Sequence, residues 1–337
     1  KQELASDVEN PYWMLDNYKM SDNTERFTGS FNVKADITDW WWIGYRMGID
    51  SYTTENSNRI GEGAAVKLLW QNGMLSENSL RFQYLSTNLM TNFNKQFGDF
   101  NLNLLLGTAT DDTKTSRNYR YGWNFVIPGF YSFGNIANED KYFVTSESRH
   151  RLVGVYGEFR ADWKNTIFAT VTGRNDWSST LPKANRSFFY PSVSGAIVFS
   201  QFLQDRELID DSFLSFGKLR VSWAKVGKDA GAYVTNTYLG SAATFLNDIT
   251  GYGTSWERGN PILEPEMTES TEIGLELRFF KNRLKVDYAY YTNNSLNQII
   301  SPRGPQSTGF IFCSQNIGDL YNTGMELTIG GTPIQTK

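Results

Sequence analysis

One cysteine and one histidine stand among 337 residues. Cys313 therefore has no partner in this chain for a disulfide, and Cys313 with His150 is too small a set for a transition-metal centre. No segment offers the ~20 successive apolar residues that a membrane-spanning helix needs, and the mean hydropathy is negative at -0.45. A β-barrel is untouched by that result, because its strands send every second residue into a polar interior. Charge is nearly balanced, 32 basic against 36 acidic residues for a net -4, with no basic tract; nucleic-acid binding is excluded as a reading. The opening KQELASDVEN has neither a basic n-region nor an apolar h-region, so no signal peptide is legible and the chain is expected to begin internally.

Aromatic residues are abundant: 10 Trp, 18 Tyr and 23 Phe. They accompany alternation with the period of a strand. Phe27, Phe31, Val33 and Ala35 share one face against Thr28, Ser30, Asn32 and Lys34, and Trp41, Ile43, Tyr45, Met47 and Ile49 repeat the pattern. So do Leu102, Leu104 and Leu106; Val153, Val155 and Phe159; Leu219, Val221 and Trp223; Ile273, Leu275 and Leu277; and Leu284, Val286 and Tyr288. Eleven strands are predicted, over 26–36, 39–50, 80–93, 98–108, 149–162, 165–176, 187–200, 212–226, 268–280, 284–294 and 318–330. A soluble sandwich also alternates. The connections discriminate: 36–39, 94–98, 163–165, 201–211 and 281–283 are short, whereas 51–79, 109–148, 227–267 and 295–317 are long and 177–186 is intermediate. Short turns at one rim and long excursions at the other fit a transmembrane antiparallel β-barrel. Single-chain bacterial barrels close on an even strand count, and an open edge in lipid leaves costly bare backbone groups. Eleven strands are thus expected to form an internal portion of a larger barrel. Gly61–Asn72, rich in Ala64, Ala65, Val66, Leu68, Leu69 and Trp70, is expected as a short helix, and 227–267 as an irregular loop.

Candidate site residues fall at the strand ends. Arg174, Asn175, Asp176, Trp177 and Ser178 combine a charge pair with side chains that bond locally to the backbone, and they are read as a rim clamp fixing a strand exit, ahead of direct solute contact. Trp177 and the run Phe188, Phe189 and Tyr190 are expected to pack or to anchor at the membrane interface. Tyr233, Tyr238, Tyr252 and Trp256 in the long loop could stack on a solute. Gly227–Gly231 superficially resembles a phosphate loop but lacks its spacing. No cofactor is expected; calcium at Asp111/Asp112 or Glu139/Asp140 is a weaker reading, without the spacing of an EF-hand loop. No nucleophile–base pair is found, so an enzyme is not expected.

TGRNDWSSTLPKANRSFFYPSVS at Thr172–Ser194 resembles the SusC-like family of TonB-dependent outer-membrane transporters, the nutrient importers of Bacteroidetes. NPYW at Asn10–Trp13 with RFTGS at Arg26–Ser30, LRVSWAKVGKDAG at Leu219–Gly231, WERGNPILEPEMTESTEIGLE at Trp256–Glu276 and QNIGDLYNTGMEL at Gln315–Leu327 resemble it too. The resemblance implies a multi-pass protein of the outer membrane whose complete form is a 22-stranded barrel. An N-terminal plug and the terminal strands are expected to lie outside residues 1–337. It also implies import of oligosaccharides, or of peptides, with a SusD-like surface lipoprotein as lid and with TonB acting through the missing N-terminal region. In that setting Arg46, Asp50, Glu158, Arg160, Arg220, Glu276, Arg278 and Asp287 would face the lumen and hold the plug, while the opposite face meets membrane lipid. A structural or adhesive barrel is the alternative.

Overall fold

A computed structural model describes residues 9–65, 67–210, 212–245 and 249–332; the side chains of residues 68, 240–245, 249 and 250 are outside that description. The expectations on Val66 and Asp211, and on the side chains of Leu68 and Phe245, therefore lie outside that description.

The strands are β1 (Tyr18–Thr38), β2 (Trp41–Ile60), β3 (Met74–Phe97), β4 (Phe100–Trp123), β5 (Lys141–Trp163), β6 (Ile167–Ser178), β7 (Ser187–Ile197), β8 (Leu214–Lys228), β9 (Leu239–Phe245), β10 (Ile249–Thr254), β11 (Glu257–Arg258), β12 (Glu266–Phe279), β13 (Leu284–Ile300), β14 (Phe312–Cys313) and β15 (Gln315–Gly331). Eleven of them form one sheet in the order β1-β2-β3-β4-β5-β6-β7-β8-β12-β13-β15. Each is one of the eleven expected from alternation, and each pairs with the next strand of this sheet along the chain, β9–β11 and β14 lying in the long loops between, so no crossover connection occurs among the described residues.

Three expectations are corrected. Strands β2 to β5 run well beyond their expected ends: Ser51–Ile60, Met74–Ser79, Ala109–Trp123 and Lys141–Ser148 are strand where long loops were expected. Polar residues occupy both faces there, which leaves hydrogen bonding intact while erasing the hydropathy alternation. Gly61–Asn72 holds a single 3-10 turn at Leu68–Trp70 in place of a helix, since Gly63 and Gly73 adopt φ of 99° and 84°, in the left-handed region. The loop at 227–267 contains the antiparallel pair β9–β10 and strand β11, which pairs in parallel with β14 of the next long loop. A short helix, α1 (Pro11–Asn17), precedes β1, capped by Asn10, and another, α2 (Phe199–Asp205), lies in the connection after β7.

The chain forms two compact units, and each of β1 to β5 contributes residues to both. One comprises 1–31, 47–86 and 111–150; the other 32–46, 87–110 and 151–337. In the first unit, Ile60, Ala64 and Met74 are buried with Trp13, Tyr18, Trp70 and Tyr121 against them, and Leu75, Phe125 and Ile136 pack with Tyr131 and Phe133. Here Tyr131 donates to Glu62, which also accepts the Gly129 amide; burial, and then the Glu62 carboxylate, raise the Tyr131 phenol above its ordinary range. In the second unit the buried cluster is Leu181, Phe188, Ala230 and Leu263.

Strand register in the second unit propagates the alternation sideways. Phe159, Val171, Val193 and Trp223 are directly paired from strand to strand, as are Trp163, Ile167, Ile197, Leu219, Leu275, Tyr288 and Leu327 two levels along. Paired residues share a face, so a single apolar surface crosses β5 to β8 and continues over β12, β13 and β15. Its side chains are turned outward: Phe159, Val171, Val193, Val221, Ile273 and Leu327 are all exposed. Their neighbours Arg160, Thr170, Ser194, Ser222 and Glu272 form the opposite, wet row.

Aromatic residues collect at the short turns. Trp40, Trp41 and Phe93 group with centroids 5.8–6.5 Å apart, Trp163 stacks with Phe202, and Phe213, Phe279 and Phe280 meet edge to face or tilted. Strand β6 from Ile167 to Trp177 is roughly 33 Å long at ~3.3 Å per residue. Tilted by ~40°, it is about 25 Å tall, the height of the apolar band of an outer-membrane barrel.

Candidate functional site

The end of β6 next to the long loops buries polar side chains. Asp176 is 2% exposed and Ser178 1%. Arg174 Nε donates to Asp176 Oδ1 at 2.7 Å, and the Tyr190 hydroxyl, on the adjacent β7, donates to Asp176 Oδ2. Ser178 and Thr180 both donate to Asp229 Oδ2, Thr180 at 3.3 Å, and the Thr180 amide donates back to Ser178 Oγ at 3.2 Å. Asp229 immediately follows β8, in the stretch that superficially resembles a phosphate loop; its carboxylate instead ties the exits of β6 and β8 together. A Cβ on Gly154 would collide with Asp176 and Arg174, which is why that position on β5 has no side chain.

Apolar packing continues from these bonds. Asn185, in the β6–β7 connection, donates to the carbonyls of Ile262 and Leu263 at 3.1 and 3.2 Å, and Leu263 is fully buried against Leu181, Phe188 and Ala230. Asn260 donates to the Ser314 carbonyl at 2.9 Å, and Asn316 exchanges bonds with the backbone of Glu264 at 2.8 and 2.9 Å. Four separated motifs, around Asp176, Asp229, Leu263 and Asn316, thus meet in one assembly that fixes the bases of two long loops.

Alternation divides the expected clamp. Arg174, Asp176 and Ser178 point into it; Asn175 and Trp177 lie on the other face, Asn175 donating to Ser187 Oγ at 3.0 Å and Trp177 exposed. The aromatic run divides in the same way: Phe188 is in the buried cluster, Tyr190 in the clamp, and Phe189 is exposed. Sequence reasoning missed Asp229, Asn185 and Asn316, each an acid or amide in a turn-rich stretch, the residue type that ties loop backbones together.

On the wet face, Arg220 reaches across β12 to Asp287 on β13 with a two-pronged contact of 2.8 and 3.1 Å, and touches Glu272 at 3.4 Å. A side chain on Gly274 would collide with it. Arg278 pairs with Glu276 and Arg160 with Glu158, each at 2.7 Å. In the first unit Asp50 accepts twice from Arg26, at 2.8 and 2.7 Å. Arg46 is exposed. Apart from Arg46, then, the residues expected to face the lumen sit in ion pairs with one another or with neighbours.

The loop aromatics separate into two groups. Tyr233 and Tyr238 meet edge to face at 6.4 Å and line a cleft of about 160 Å³ with Ser255, Glu257 and Arg258. Tyr252 and Trp256 are 66% and 70% exposed and line no part of it. Among the described residues there is no group of three or more His, Cys, Asp or Glu able to hold a metal. Asp111 and Asp112, successive residues of β4, point to opposite faces; Asp111 accepts from Tyr84 and Asp112 from Arg149. Asp140 accepts from Asn124.

An apolar outer face, a wet inner face and an aromatic belt at the short turns define this sheet as the wall of an outer-membrane β-barrel. The model of the family described as TonB dependent receptor-like, beta-barrel, matches residues 4–333, and the chain belongs to that family. It is 28% identical over 333 residues to the TonB-dependent receptor P26 of Formosa agariphila, covering 92% of this chain and 32% of that protein. It is 32% identical over 205 residues to the TonB-dependent receptor SusC of Bacteroides thetaiotaomicron, covering 56% of this chain and 19% of that one. Among solved structures, the RagAB peptide transporter superposes with a TM-score of 0.87 at 20% identity, over 97% of this chain and 36% of that one. The chain spans about a third of the length of two Formosa receptors it matches, 32% of P26 and 33% of P3.

Proposed function

We propose that these residues form part of the barrel wall of an outer-membrane importer that takes up nutrient oligomers, oligosaccharides or peptides, at the expense of energy delivered through TonB, with a SusD-like lipoprotein covering the long-loop side. The observation that carries this reading is the unbroken apolar face across β5 to β15, backed by a polar face of paired charges. A mixed-charge wall of that kind suits a protein plug held by hydrogen bonds and ion pairs better than a single-sign ion filter. Arg46, Asp50, Glu158, Arg160, Arg220, Glu276, Arg278 and Asp287 are the residues proposed to support the plug. The plug and the remaining barrel strands are proposed to belong to the rest of the intact protein. Arg174, Asp176 and Ser178, with Asp229, are proposed to hold the loops in place, and Tyr233, Tyr238, Tyr252 and Trp256 to offer aromatic faces to the solute or the lid. No bond-making chemistry is part of this reading.

The test is uptake by cells carrying the intact protein, compared across oligosaccharides and peptides, with and without membrane energisation. Uptake of one class that ceases on de-energisation is expected. Uptake of every solute regardless of energisation would contradict it.

A further inference from the structure

On the outward face near the short turns, β2, β3 and β4 enclose an apolar groove of about 410 Å³ lined by Trp41, Ile43, Leu89, Phe93 and Leu106, with Thr91 and Thr108 as its hydroxyl-bearing members. Its polar groups are already occupied: the Trp41 indole donates to Thr91 Oγ1 at 2.8 Å, and Thr91 donates on to the Trp42 carbonyl at 3.2 Å. Nothing inside the groove asks for a hydrogen-bonding ligand. Its floor at the rim is aromatic, Trp41 lying parallel to Phe93 at 5.8 Å and Trp40 beside both.

A cation stands where the groove reaches that rim. Leu89, Thr91, Phe93, Lys95 and Phe97 are alternate residues of β3 and share one face. Lys95 Nζ lies 5.5 Å from the Trp40 ring and 5.5 Å from the Phe97 ring, and no carboxylate pairs with it among the described residues. From Leu89 to Phe93 the groove runs roughly 13 Å along the strand, and a single ring separates its end from the ammonium.

From this sequence of apolar trough, aromatic rim and unpaired ammonium we infer a site for one glycerophospholipid of the leaflet on the short-turn side, an acyl chain lying between Ile43, Leu89 and Leu106 and the phosphate ion-paired with Lys95. Short turns face the periplasm in such barrels, which places the phosphate at the periplasmic interface, the level at which Trp and Lys anchor to headgroups. A phospholipid fits both halves of the surface. A free anion would leave the trough empty, and an uncharged hydrocarbon would leave Lys95 alone.

The test is native mass spectrometry of the intact protein, titrated with phosphatidylglycerol. One lipid is expected to bind more tightly than the statistical distribution of the remainder. Lys95→Ala, a surface change, is expected to weaken that first lipid about fivefold, the effect of one basic residue near an anionic headgroup. Leu89→Trp, which fills the trough, is expected to remove it, and the heat-shifted mobility of the folded barrel on a gel checks that both variants still fold. Glycerol phosphate, which has no acyl chain, is expected not to compete. Equal first-lipid affinity in wild type and either folded variant, or displacement by glycerol phosphate, would overturn the site.

Discussion

The two rims of the second unit are built from opposite materials. At the short turns, rings pack on rings: Trp163 on Phe202, and Phe213 against Phe279 and Phe280. At the long loops, carboxylates and hydroxyls are buried beneath backbone: Asp176 with Arg174 and Tyr190, and Asp229 with Ser178 and Thr180. An aromatic belt tolerates exchange of one ring for another because its partner is a lipid interface with no fixed geometry. A buried carboxylate tolerates little, because each lost partner leaves a desolvated polar atom unpaid. The long-loop rim is therefore where individual residues matter most, and its motif-rich segments lie there.

The largest expected effect follows. Asp176→Ala in the intact protein removes the carboxylate that accepts from Arg174 and Tyr190 and opens a gap among buried polar groups, and is expected to cost about 2–4 kcal/mol, read as a lower urea midpoint for barrel unfolding; an unchanged midpoint would equate the two rims. Second comes a charge placed on each face of the same strand. Val221→Arg, at the middle of β8 on the apolar face, is expected to cost roughly 2–4 kcal/mol, whereas Ser222→Arg, opposite Glu272, is expected to cost under about 1 kcal/mol. The same unfolding assay decides whether the faces differ. Smallest is Lys228→Ala, which removes an ion pair to Glu266 whose lysine side chain is 75% exposed; a loss below about 0.5 kcal/mol is expected, and a larger one would show that the β8 end depends on surface charge as much as on Asp229.

Period-two alternation made the eleven sheet strands legible because one face of each meets hydrocarbon. It went silent in Ser51–Ile60 and Ala109–Trp123, where polar residues occupy both faces of the strand and no period-two contrast survives. Half of the clamp was legible for a related reason: Arg174, Asp176 and Ser178 lie within one strand, so local residue types announced them. Asp229 lies 51 residues from Ser178, and only the fold brings the two together. Trp177 was grouped with the clamp by adjacency, but neighbours on a strand point to opposite faces. The loop pairings β9–β10 and β11–β14 were masked by the glycines around them, which signal turns whether or not short strands intervene.

The central claim is that the Phe159–Val171–Val193–Trp223 row meets lipid while the Arg160–Thr170–Ser194–Ser222 row does not. A nitroxide attached at Val193→Cys or at Ser194→Cys, in a Cys313→Ser background of the intact protein in bilayers, reads this directly through its collisions with oxygen and with a water-soluble nickel chelate. Oxygen is expected to dominate at 193 and the chelate at 194. The reverse order, or equal access at both, would contradict the account.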